Sequence, residues 1–67
     1  MNFNKLRAKF AERGTTQKEV AKKIGINSGT FSKKMNGVTE FTRDEIAMIS
    51  MVLGLSKDEL NDVFFDL

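Results

Sequence analysis

Residues 16–37 read Thr-Gln-Lys-Glu-Val-Ala-Lys-Lys-Ile-Gly-Ile-Asn-Ser-Gly-Thr-Phe-Ser-Lys-Lys-Met-Asn-Gly, and the fold turns on this stretch. Thr16 and Glu19 have the form of a capping box, hydroxyl first and carboxylate three residues later, so a helix begins there. Val20, Ala21 and Ile24 fall on one face of that helix. Gly25 permits a tight turn and Ile26 plugs its corner. Asn27 or Ser28 can cap the next helix, whose inward residues are Phe31 and Met35. Ala21 is small where the two helices would cross closely. The spacing predicts a helix-turn-helix at a steep angle, although a generic helical hairpin uses similar residues.

Outward from this stretch the same punctuation recurs. Thr42 with Glu45 and Ser56 with Glu59 repeat the capping-box form, and Phe41–Ile46 and Leu55–Leu60 add hydrophobic staples. Gly14, Gly25, Gly37 and Gly54 each follow an apolar-periodic segment, where a left-handed residue ends a helix. Starts and stops alternate to predict five helices, over about 2–13, 17–24, 28–36, 43–53 and 57–65. Phe3, Leu6 and Phe10 form the stripe of the first. Ile46, Ile49 and Leu53 form that of the fourth, and Leu60, Val63 and Phe64 that of the fifth. No window alternates with period two for long enough to suggest a strand. The expectation is an all-α, compact five-helix domain spanning residues 1–67.

A chain of 67 residues lies near the lower size limit for folding without staples. It contains no cysteine and no histidine, so disulfides, the usual soft-metal sites and the common nucleophile–base pairs are missing. No Gly-rich phosphate loop or clustered carboxylate pair appears either, so neither an enzyme nor a cofactor is expected. No apolar run approaches a membrane span or signal-peptide core, which points to a cytoplasmic location without a membrane partner. The net charge of +2 conceals a division. Residues 1–34 carry nine basic side chains against Glu12 and Glu19, a surplus of seven positive charges. Residues 35–67 carry Arg43 and Lys57 against seven acidic ones, a surplus of five negative charges. Such a division turns one half toward a polyanion and keeps the other away. Solvated helix faces are the alternative.

Thr-Gln-x-Glu-Val-Ala-x-Lys-Ile-Gly followed by Phe-Ser-x-x-Met-Asn-Gly resembles the helix-turn-helix of the lambda-repressor-like (Cro/XRE) family of phage and bacterial regulators. The resemblance covers essentially the whole chain. It implies a DNA-binding domain whose third helix reads bases, with two copies on a pseudo-palindromic double-stranded operator. It implies a homodimer at least on DNA and no small-molecule ligand. One departure stands out. Relatives usually carry an aliphatic residue where this chain has Lys34, and here the apolar partner of Phe31 is Met35. Phe10 and Met35 are expected to pack together, at positions where some relatives use an ionic pair.

With Phe31 and Met35 inward, a helical wheel places Gly29 and Lys33 opposite, with Thr30 and Ser32 flanking and Ser28 at the helix start. Lys33 is the first choice for a base contact, since lysine suits guanine O6 and N7 in the major groove. A phosphate role for Lys33 remains the alternative. Ser28, Thr30 and Ser32 can hydrogen-bond bases, or simply face solvent. Gly29 either lets the helix start approach the DNA or marks a helix that begins a residue or two later. Gln17 opens the second helix, where main-chain N–H groups favour a phosphate. The resemblance gives Gln17 and Asn36 phosphate roles, and Asn36 can equally serve helix termination. Asn27 and Lys34 join that phosphate set. Arg43 opens the fourth helix, where a cation opposes the dipole, which suggests an external anion, either phosphate or a narrow minor groove. Lys5, Arg7, Lys9, Lys22, Lys23 and also Lys34 divide between phosphate and solvent.

About six phosphate contacts per dimer would make binding steeply salt-dependent, by roughly a thousandfold from low to moderate salt. One copy offers too little interface for tight specific binding, so a two-fold dimer is expected. Phe65 and Leu67 are the candidates for the dimer contact. A frayed terminus with Phe65 folded back is the alternative. The sequence favours a short, complete Cro-like repressor that occludes a promoter over the excised head of a longer protein. The rival function is a protein-interaction module on the same fold, an antitoxin or adaptor.

Overall fold

Asn2 converts extended backbone into the first helix, its Oδ1 accepting the Lys5 N–H at 3.0 Å. The computed structural model describes residues 1–65. In it α1 runs Phe3–Glu12, α2 Gln17–Lys23, α3 Ser28–Met35, α4 Arg43–Leu53 and α5 Lys57–Leu60. A π-helical turn, Asn61–Phe65, continues from α5. The expected boundaries hold to within a residue for the first four helices. The fifth departs from expectation, because only its first turn is α-helical before the winding widens. Val63 and Phe64 both stay buried through the wider turn, and the Val63 carbonyl accepts the Asn2 N–H at 2.8 Å. That bond pins the chain start to the last helical segment.

Thr42–Glu45 and Ser56–Glu59 are complete capping boxes. The third expected box is half formed. Thr16 Oγ1 accepts the Glu19 N–H at 3.2 Å, but the Glu19 carboxylate accepts the Thr15 hydroxyl at 3.0 Å instead of the Thr16 N–H.

Gly25 shows why the helix ends are abrupt. At φ +76° its N–H reaches the Lys22 carbonyl (3.2 Å), while the Ile26 N–H reaches back to Ala21 (2.9 Å). This is a Schellman closure, which satisfies carbonyls the helix leaves open. The same pair of bonds closes α1, α3 and α4 after Gly14, Gly37 and Gly54.

Leu6, Phe10, Val20, Ala21, Ile24, Phe31, Met35, Phe41, Ile49, Leu53, Val63 and Phe64 form one core. α2 packs on both α3 and α4, and α1 packs on the π-helical turn. Phe31 lies at the centre of three rings. Phe10 is 6.4 Å away and tilted, and Phe41 is 5.4 Å away edge-on. Phe10 and Met35 both lie in this core, and the ring partner of Phe10 is Phe31.

Candidate nucleic-acid interface

Helix α3 is held from behind and open in front. Phe31 and Met35 are fully buried, whereas Ser28, Gly29, Thr30 and Lys33 are exposed and Ser32 is half-buried. Asn27 caps the helix, its Oδ1 accepting from the N–H groups of Gly29 (2.8 Å) and Thr30 (3.4 Å). This cap explains Gly29. The helix begins at Ser28, so a later start is not the reason for the glycine. A Cβ at position 29 would lie 3.1 Å from the Asn27 carboxamide oxygen, tighter than an ordinary contact. Glycine therefore lets the cap close over the first turn.

At its other end α3 is closed by a residue of α1. Arg7 Nη2 donates to the Met35 carbonyl at 3.2 Å and to Asn36 Oδ1 at 3.5 Å, and Nη1 donates to Asn4 Oδ1 at 3.4 Å. Asn36 is the exposed C-cap residue. Gln17, half-buried, is the first residue of α2, and exposed Arg43 is the first of α4.

Lys34 is the correction among the expected contacts. Its ammonium donates to Glu45 Oε1 at 2.7 Å and to the Glu40 carbonyl at 3.2 Å, and it stands 5.9 Å from the Phe41 ring centre. Only 11% of the side chain is exposed. Its stem lies along the apolar surface beside Phe41, and its charge is satisfied internally. Burial pushes the Glu45 carboxyl up, but the bonds from Lys34 and the Thr42 N–H outweigh it and hold the group below the usual range. Lys34 is therefore withdrawn from the phosphate-contacting set.

The basic first half divides in a way composition does not reveal. Lys5 pairs with Asp62 at 2.7 Å, Lys9 with Glu59 at 2.7 Å, and Arg13 with Glu59 at 3.1 Å. Arg13 Nε also donates to the Leu53 carbonyl at 2.8 Å, capping the end of α4. The bond from Lys9, followed by that from the Ser56 N–H, holds Glu59 down at about 2. Glu59 and then Glu12 hold Lys9 above its ordinary value. Spaced four residues apart, Lys5, Lys9 and Arg13 occupy one face of α1, so much of the first half's positive charge neutralises the acidic second half. Among the described residues, Arg7, Lys18, Lys22, Lys23, Lys33, Arg43 and Lys57 are the exposed cations without a carboxylate partner. Sequence reasoning missed this seam. The i, i+4, i+8 spacing on α1 and the i, i+3 spacing of Glu59 and Asp62 are the signals that mark it.

Phe65 is 51% exposed beside buried Phe64, while Leu67 lies outside the described residues. Met51, 81% exposed, and Met48 lie on the outer side of α4. Among the described residues no three acidic side chains gather as a metal site, and no helix is long and apolar enough to cross a membrane. No curated protein and no solved structure matches the chain. The family model of the Cro/C1-type HTH DNA-binding domain matches residues 5–66, so the chain belongs to this family of DNA-binding regulators, which are typically non-enzymatic.

Proposed function

We propose that the protein is a sequence-specific repressor of the Cro-like, phage or prophage type that lays α3 in the major groove of a pseudo-palindromic operator. One observation carries this reading: the face of α3 bearing Ser28, Gly29, Thr30 and Lys33 is exposed, while Phe31 and Met35 lock the opposite face into the core. Lys33 contacts a guanine edge, with Ser28, Thr30 and half-buried Ser32 flanking it and Gly29 at the closest approach. Gln17, Asn27, Asn36 and Arg43 hold the phosphates on either side. The Asn27 carboxamide oxygen is spent on the cap, which leaves its NH2 group as the donor.

Two half-sites one turn apart place domain centres about 34 Å from each other. The domain's longest dimension is 28 Å, so neighbouring copies meet through short side-chain reach. Phe65, with Leu67 beyond it, supplies that two-fold contact. The working location is the cytoplasm, on DNA.

The test is Lys33→Ala against a panel of operator variants. Discrimination at one base pair should fall by about 1–3 kcal/mol. Equal weakening on every sequence would make Lys33 a phosphate ligand and overturn the base-reading assignment. Wild-type protein should be retained on heparin in a salt-sensitive manner. Flow-through at low salt would instead favour the antitoxin or adaptor role, for which exposed Met48 and Met51 offer a surface.

A further inference from the structure

Helix α1 and its C-cap carry cations at positions 5, 7, 9 and 13, and their surroundings differ in kind. Lys5, Lys9 and Arg13 each contact a carboxylate. Arg7 faces the other way, toward the end of α3, and among the described residues its three acceptors are neutral: the Met35 carbonyl, Asn36 Oδ1 and Asn4 Oδ1. Neutral oxygens orient a guanidinium without cancelling its charge. Both carboxamides spend their oxygen on Arg7, so both turn their NH2 groups away from it as donors. Asn4, Arg7 and Asn36 line an open recess of about 370 Å³, bounded also by Met1, Asn2, Phe3 and Met35. The recess lies directly beyond the C-terminus of α3.

A full positive charge flanked by two amide donors, in a recess with no acidic lining residue among the described residues, suits a tetrahedral anion. We propose that Arg7, with Asn4 and Asn36, forms a clamp for a DNA backbone phosphate, extending the interface from the helix-turn-helix onto α1. This rests on the DNA-binding reading above. Arg7 has a double task in it, because the same guanidinium that meets the phosphate caps α3 and turns the Asn36 amide outward.

The experiment measures affinity against salt concentration for a selected operator and for unrelated duplex DNA, using full-length protein. Arg7→Gln should weaken both by a similar factor, roughly tenfold or more, and lower the slope of log K against log salt by about one per bound protomer. Because Arg7 also caps α3, Asn4→Asp provides the arm that keeps the fold. It retains the oxygen facing Arg7, adds a negative charge favourable in the first turn of α1, and neutralises the guanidinium. Asn4→Asp should melt no lower than wild type yet show the same loss of affinity and slope. Lys5→Gln, which removes a charge from the opposite face of α1, should change the slope by much less. The clamp is refuted if Asn4→Asp binds as wild type does, or if Lys5→Gln loses as much as Arg7→Gln. If wild type itself shows no salt-dependent DNA binding, the DNA reading has failed rather than the clamp alone.

Discussion

Replacing Phe31 by alanine tests whether α3 is pinned by its buried face. Phe31 has no exposed surface and lies between the rings of Phe10 at 6.4 Å and Phe41 at 5.4 Å. Truncating a fully buried phenylalanine costs about 3–5 kcal/mol, since transfer energy is lost and a cavity remains. Two aromatic pairs, each worth about 0.5–1.5 kcal/mol beyond area, place this site toward the upper end. A chain of 67 residues, at about 0.05–0.15 kcal/mol per residue, has roughly 3–10 kcal/mol in total. Phe31→Ala should therefore leave the domain marginal or unfolded at 25 °C. Phe31→Leu, which keeps most of the volume, should lose about 1–1.5 kcal/mol. Urea titration followed by far-UV circular dichroism reads both, with midpoints and slopes fitted separately. A loss below about 1.5 kcal/mol for Phe31→Ala, at unchanged slope, would mean that this ring does not set the orientation of α3. The assignment of its outer face would then lose its physical basis.

Two further predictions concern the charge seam and the withdrawn lysine. Glu59 is held at about 2 in the folded protein against 4.5 ordinarily, so its contribution is complete above about pH 4.5 and is lost as pH falls toward 2. Glu59→Gln should be less stable than wild type at neutral pH and lose less on acidification over that window; parallel acid limbs in urea titrations would refute the assignment. Lys34→Met should leave the salt slope of DNA binding unchanged while lowering stability by about 1–2 kcal/mol, because Glu45, with 15% of its side chain exposed, loses its ammonium partner. Adding Glu45→Gln should restore part of that loss. A slope lower by about one for Lys34→Met would return this residue to the phosphate-contacting set.

What was legible in the sequence is what acts over a few residues. The Asn27 cap, the boxes at Thr42 and Ser56 and the glycine closures each involve groups no more than five positions apart, so composition and order state them directly. The stripe of Phe31 and Met35 is equally local, and it fixes which side of α3 faces outward. The half-formed box at Thr16 shows the limit even at short range, since Thr15 competes for the same carboxylate and wins it. Lys34 shows the limit at medium range: its partner Glu45 lies eleven positions away across the α3–α4 loop, and no helical wheel brings them together.

The charge division is the case where reading along the chain leads furthest from the molecule. Counted by halves, the first carries seven surplus positive charges and the second five negative ones, which suggests two opposed faces. In the fold the halves interleave. Lys5 meets Asp62 fifty-seven positions away and Lys9 meets Glu59 fifty away, so α1 spends most of its charge closing the C-terminal segment onto the core. Composition overstates the positive field because it counts cations without their partners. The field a polyanion would meet comes from the exposed cations that remain, of which Lys33 stands on α3, Arg43 at the start of α4 and Arg7 at the end of α3. Removing a paired lysine should therefore change stability more than DNA affinity, and removing an unpaired one the reverse. Lys5→Gln and Lys33→Ala already stand on opposite sides of that division.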